Sequence, residues 1–148
     1  MENLKILNKK EGERVLGRIK EQFGIKNLDF DYGILQNKGG KIFLISKDVN
    51  KIKLDKLRIN ELGLYVANTN KELRLSIEGS QLFGKNASKN VYEVNEEQAN
   101  FWLKGEDLEC SKEFNGFVII KHKDDYLGSG KWKDNKILNY IPKERRIK

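Results

Sequence analysis

Seven cations fall within the last eighteen residues of the chain: Lys131, Lys133, Lys136, Lys143, Arg145, Arg146 and Lys148. Trp132 and Tyr140 are interleaved with them, and Gly128 and Gly130 sit just ahead. These residue types share one chemistry. Lysine and arginine neutralise phosphate, arginine also pairs bidentately with a phosphate or a guanine edge, and aromatic rings stack on unpaired bases. Glycines within a strand let another backbone approach closely. The plainer alternative makes Trp132 and Tyr140 core residues, the two glycines bends at barrel corners, and the lysines a solvated edge that discourages strand pairing. For Trp132 and the glycines the plainer reading is preferred. For the cluster from Lys143 to Lys148, phosphate binding is preferred.

Other chemistries find less support. Gly79-Ser80-Gln81-Leu82-Phe83-Gly84-Lys85-Asn86 nearly spells a phosphate-cradling loop. Such a loop needs a buried strand before it, a helix after it, and Ser or Thr behind the lysine to hold magnesium. Asn86 stands in that place, turn-forming residues follow, and nucleotide hydrolysis is not expected. With one histidine (His122) and one cysteine (Cys110), the chain has too few soft ligands for a usual zinc site. His122 reads as an exposed strand end, Cys110 as a half-buried thiol in a polar stretch, and Asp124-Asp125 as an acidic turn. No glycine-rich fingerprint links a strand to a helix, so no catalytic residue, metal or cofactor is expected.

The 148 residues carry 29 Lys and Arg against 22 Asp and Glu, for a net charge of +7, and the sequence pI is near 9.4. A domain-wide pI above about 9 is the electrostatic footprint of many nucleic-acid binders, although basic surfaces also simply aid solubility. Charge is unevenly placed: +6 over residues 1–59, −4 over 60–116 and +5 over 117–148. Basic sequence ends thus flank an acidic middle, and the fold must decide whether the ends meet. A single cysteine excludes an intramolecular disulfide. No apolar run approaches the ~18 residues of a membrane span, and a signal-peptide core is lacking. A cytoplasmic protein with no membrane partner is expected.

The elements that must position these residues are legible in outline. Leu4, Ile6 and Leu7 suggest a first strand; Val15, Leu16, Ile19 and Phe23 fall at helical spacing, and Gly24 stops the run. Phe30, Tyr32 and Ile34 alternate, Asn37-Lys38-Gly39-Gly40 turns, and Ile42 to Ile45 returns, as a β-hairpin does. The basic stretch from Lys51 to Arg58 marks a boundary. Beyond it, residues 62–67 suggest a strand. Residues 73–83 suit either an alternating strand or a short helix starting near Ser76, and the helix is preferred. Val91 to Val94 reads as a strand, and Asn95 caps a helix with Ala99, Trp102 and Leu103 inward. Strands follow at 116–120, 126–132 and 137–142, separated by polar turns. Short strands at this spacing suggest a small barrel.

Tyr126-Leu127-Gly128-Ser129-Gly130-Lys131, followed by Ile137-Leu138-Asn139-Tyr140-Ile141-Pro142-Lys143-Glu144-Arg145-Arg146, resembles the closing signature of the PUA-like RNA-binding domain at the C-terminus of RsmF/Sun-type RNA cytosine methyltransferases. Asn95 to Glu106 is similar to the family's helix, and Leu57-Arg58 to Gly63 to its opening strand and turn. The likeness covers about residues 57–146, and residues 1–55 match only loosely, as a small pre-domain. The methyltransferase domain with its Pro-Cys nucleophile motif has no counterpart here, since the one proline, Pro142, lacks a cysteine neighbour.

The expected architecture is α+β: a strand–helix–hairpin unit over residues 1–56, then a PUA-like mixed β-barrel with short helices over 57–148. The expected activity is non-catalytic binding of structured RNA, tRNA or rRNA, in RNA modification or ribosome biogenesis. An RNA methyltransferase or ribosome-assembly factor acting in trans is the implied protein partner. The resemblance points to Lys131, Asn139, Lys143 and Arg145 as signature positions; Lys133, Tyr140 and Arg146 join them as RNA contacts, with Lys85 in a secondary role beside the 76–83 helix. The alternative is a protein–protein adaptor working through the acidic segment from Glu93 to Glu113.

Overall fold

Two five-stranded sheets and three helices make up the computed structural model, which describes residues 4–28, 32–45 and 63–148. Asn8 opens helix α1 (Lys9–Phe23) with a capping box: its side chain accepts the Glu11 N–H while the Glu11 carboxylate takes the Asn8 N–H. Val15, Ile19 and Phe23, four residues apart, form the buried face. Gly24 adopts φ 62° and turns the chain out of the helix.

The first sheet runs β1 (Leu4–Ile6), β2 (Gly33–Asn37), β3 (Lys41–Ile45), β4 (Leu64–Asn68) and β5 (Arg74–Leu75), all antiparallel neighbours in chain order. The hairpin expected over 30–45 is thus β2–β3, although Phe30 lies outside the described residues, as does the boundary segment from Lys51 to Arg58. Strand β4, on the far side of that segment, pairs with β3 on the near side. The first sheet therefore draws strands from both parts of the chain. Ile19, Phe23, Ile42, Leu44, Val66 and Leu75 meet in one cluster between helix and sheet.

Ser76 caps α2 (Ile77–Phe83): its hydroxyl accepts the Gly79 N–H and donates to the Tyr65 carbonyl. A side chain at Gly79 would place its Cβ 2.0 Å from the Val66 carbonyl oxygen, and one at Gly84 would strike the Tyr126 ring. The glycines of the near-Walker stretch are therefore there for close packing, and the helix lies inside the stretch instead of behind it.

The second sheet has the order β6 (Val91–Glu93), β8 (Phe117–His122), β9 (Asp125–Lys133), β10 (Lys136–Asn139), β7 (Leu108–Glu109); only β6–β8 is parallel. It curls into a half-barrel, so the fold is α+β with a PUA-like barrel. Helix α3 (Glu96–Leu103) begins at Asn95 with a second capping box, to Gln98, and buries Ala99 and Trp102 over this sheet. Gly130 leaves room for the Trp102 ring, whose Nε1 donates to the Leu127 carbonyl. Trp132 packs against the same core, and its Nε1 donates to the Cys110 carbonyl.

Three details depart from the sequence reading. Strand β7 was not anticipated; two residues are too few to show alternation. Cys110 behind it is buried, with only 3% of its surface exposed, rather than half-buried. The last strand ends at Asn139 rather than Pro142, because the Asn139 side chain takes the Ile141 N–H that a ladder would have used.

Candidate nucleic-acid interface

A buried serine stitches the two sheets together. The Ser129 hydroxyl on β9 accepts the Leu75 N–H at 3.2 Å and donates to the Leu75 carbonyl at 2.8 Å, so β5 of one sheet is held against β9 of the other. Beside it, the Gly128 N–H donates to the Ser80 hydroxyl. Gly128 stands at φ 96°, a conformation open to glycine, which is how this backbone N–H reaches helix α2.

The seam between the sheets opens outward into a cleft. Leu73, just ahead of β5, and Leu75 within it are buried, and strand alternation sends Arg74 the other way. Its guanidinium lies over the Tyr140 ring, 5.1 Å from the centroid. Tyr140 is 40% exposed, and its ring meets Phe117 edge-on, at 5.0 Å and 70°. The cleft holds about 310 Å³ and is lined by Asn68, Asn70, Lys71, Glu72, Arg74, Phe117, Lys131 and Tyr140. A smaller pocket of about 80 Å³ adjoins it, shares Arg74 and Tyr140, and reaches Glu78, Pro142 and Arg145.

Each end of this groove carries an ion pair. Lys131 Nζ lies 2.7 Å from a Glu72 carboxylate oxygen. Arg145 grips Glu78 in a two-pronged contact of 3.1 and 2.7 Å. The hydrogen bond from Arg145 holds the Glu78 carboxyl below its usual value, against the opposing effect of partial burial. Glu72 raises the Lys131 ammonium above its usual value, again chiefly through their hydrogen bond. Both lysine and arginine therefore stay charged through neutral pH.

Of the residues expected from sequence, Lys131, Tyr140 and Arg145 converge on this groove. Lys143 is exposed beside Arg145 in a single 3-10 turn, Lys143–Arg145. Asn139 is spent inside the fold: its Nδ2 donates to the carbonyls of Trp102 and Glu106, its Oδ1 accepts from Ile141, and its own N–H donates to Asp107. Arg146 is similarly engaged, with Nε donating to the Ile141 carbonyl and its side chain laid over Gly105. Lys133 pairs in register with Lys136 beside the β9–β10 turn and lines neither pocket. Lys85 borders a separate open depression with Asp124, Asp125 and Tyr126.

Arg74, Lys71, Asn68 and Asn70 also line the cleft and are not among the residues expected from sequence. The alternation of Leu73, Arg74 and Leu75 is the signal for Arg74, just ahead of the helix that Ser76 caps. Asn68 ends β4, and Asn70 and Lys71 lie in the β4–β5 connection, whose proximity to β9 is a matter of tertiary pairing alone.

Among the described residues, no three of His, Cys, Asp and Glu are grouped to hold a metal ion. No helix there is long and apolar enough to cross a membrane. Burial pushes the Cys110 thiol up, and its Sγ donates to the Lys112 carbonyl, a packed thiol and not an activated one.

The second sheet, its covering helix and the closing strand define a PUA-like barrel. Residues 89–147 match the family described as the methyltransferase RsmF PUA domain. A ribosomal RNA small subunit methyltransferase F of Aeromonas hydrophila is 30% identical over 137 residues, covering 91% of this chain and 28% of the relative. The protein of the same description from Aeromonas salmonicida is 29% identical over 137 residues, again 91% and 28%. That from Vibrio parahaemolyticus is 26% identical over 144 residues, 93% and 30%. The chain thus spans less than a third of the length of these relatives, and its C-terminal part is a PUA-like domain resembling that of RsmF-type methyltransferases. Lys131, Tyr140 and Arg145 fall within the matched segment, whereas Arg74 and Lys71 fall ahead of it.

Proposed function

We propose that this chain is a non-catalytic RNA-binding unit that holds structured RNA, ribosomal RNA foremost, in the groove between its two sheets. The observation that carries the reading is the convergence of Arg74, Lys131, Tyr140 and Arg145 at one seam. These are the residue types that bind phosphates and stack on bases. Similarity to methyltransferases whose description names small-subunit ribosomal RNA supports the choice of RNA class.

The mechanism is recognition of shape and phosphate. Lys131, Lys143 and Arg74 grip the backbone, Tyr140 meets unpaired bases, and Ser129 keeps the two walls of the groove in register. The chemistry on the RNA belongs to a methyltransferase or assembly factor, carried on the same polypeptide or on another. The work is then part of rRNA modification in the cytoplasm.

The test is binding to small-subunit rRNA fragments across a salt series, with the intact protein and a variant carrying R74A, K131A and K143A. Each lost phosphate contact lowers the slope of log K against log salt by about 0.7 to 0.9. The triple variant is expected to lose affinity together with about two units of slope. Equal slopes for the two folded proteins would reject the reading.

A further inference from the structure

The cleft around Tyr140 has a shape and composition more specific than a basic surface needs. A duplex backbone can be held by scattered lysines on a convex face. Here an aromatic ring is propped edge-on by Phe117, carries a guanidinium over it, and stands in a concave space lined by two asparagines. The Asn68 side-chain oxygen is occupied by the Asn70 N–H at 2.8 Å, which leaves the Asn68 amide group as a donor. Lys131 stands at the margin with its ammonium on Glu72.

We infer that this cleft seats one unpaired RNA base against the Tyr140 ring, with the adjoining phosphates engaging Arg74 and taking Lys131 from Glu72. The inference rests on the RNA-binding reading and narrows it to single-stranded or flipped-out nucleotides at this position. Three features support that narrowing. The ring is exposed yet already packed against Phe117, so little side-chain freedom is lost when a base arrives. The Arg74 guanidinium over the ring adds a cation–π contribution and keeps a cation beside the phosphate of a stacked base. The cleft volume of about 310 Å³ is enough for a single nucleotide.

The Lys131–Glu72 pair then acts as a placeholder. Lys131 is held at the margin of the cleft before RNA arrives, and its ammonium moves by a short rotation from carboxylate to phosphate. Exposed pairs of this kind are weak and exchange readily.

The experiment uses an eight-nucleotide single-stranded RNA with one internal 2-aminopurine, the same sequence as a duplex, and the intact protein beside Y140L, Y140F and K131A. Stacking on an aromatic ring quenches 2-aminopurine. The wild type and Y140F are expected to quench it on binding. Y140L, which keeps apolar volume against Phe117, is expected to lose the quenching and bind the single strand on the order of tenfold more weakly, with duplex binding unchanged. K131A is expected to keep the quenching and lower the salt slope by about 0.7. Equal weakening of single strand and duplex by Y140L would overturn the inference, making the ring a prop for the groove. Binding of the wild type without quenching would overturn it while sparing the RNA-binding reading. No binding of either RNA would overturn both.

Discussion

Arg145, in the last turn of the chain, holds both carboxylate oxygens of Glu78, in the first turn of helix α2. The contact joins residues 67 positions apart and ties the C-terminal segment across the end of the groove. It also neutralises a cation that sequence alone would count as available to phosphate. The pair is partly exposed, so its contribution to stability is modest, about 0.2–1 kcal/mol. E78Q is expected to cost no more than that in denaturant unfolding while strengthening RNA binding a fewfold, by freeing Arg145 and removing a negative charge. Weaker binding by E78Q would mean that the pair's geometry, and not the free guanidinium, serves the RNA.

The same pair sets an acid limit. The Glu78 carboxyl is held below its ordinary value of 4.5 in the folded protein by the Arg145 hydrogen bond. A carboxyl depressed on folding stabilises the fold above its unfolded value and loses that contribution as pH falls through its folded value. Wild type and E78Q are therefore expected to differ in stability near neutral pH and to converge progressively below pH 4.5. A difference that persists unchanged at pH 2 would contradict the assignment.

Asn139 is predicted to matter for stability and not for RNA. It satisfies carbonyls of Trp102 and Glu106 and the N–H of Ile141 at the point where the closing strand leaves the sheet. Replacing it by alanine is expected to cost about 1–3 kcal/mol. N139D, which sets a carboxylate against the same two carbonyls, is expected to cost at least as much. RNA affinity of the folded variant, measured well below its melting temperature, should stay within twofold of the wild type.

Gly79 gives a sharp packing test. Its α-carbon faces the Val66 carbonyl so closely that a methyl group would stand 2.0 Å from the oxygen. G79A must push α2 away from β4, with an overpacking cost of about 1–3 kcal/mol. Since α2 carries Glu78 and Ser80 to the seam, RNA binding is expected to weaken too. A neutral G79A, judged by thermal melting, would show that the helix can shift freely.

Several elements were readable because local chemistry decides them. Asn8 and Asn95 each announce a helix by a cap followed by Glu or Gln three residues later, and both helices begin there. The turns at Lys123-Asp124 and Asp134-Asn135 place φ-positive residues where asparagine, aspartate or lysine stood between apolar runs. The groove was only half legible. Lys131, Tyr140 and Arg145 were noticed as a basic, aromatic tail, and the likeness to RsmF-type domains pointed the same way. Their partners Arg74, Glu72 and Glu78 lie 59 to 67 residues earlier and reach them through the Ser129–Leu75 stitch, which no local pattern encodes. Asn139 and Arg146, expected as RNA contacts, make hydrogen bonds within the fold for the converse reason. A basic or polar residue in a signature says nothing of whether its hydrogen bonds are already used.

The central claim is that RNA is held by the groove between the sheets and not by net charge. The most direct measurement compares two charge-matched double variants, R74A/K131A in the groove and K133A/K136A at the β9–β10 turn, for rRNA-fragment affinity across a salt series. The groove variant is expected to lose affinity by tenfold or more and about 1.4 to 1.8 units of salt slope, while the turn variant stays close to wild type. Equal losses in the two would contradict the claim and reduce the binding to the protein's overall positive charge.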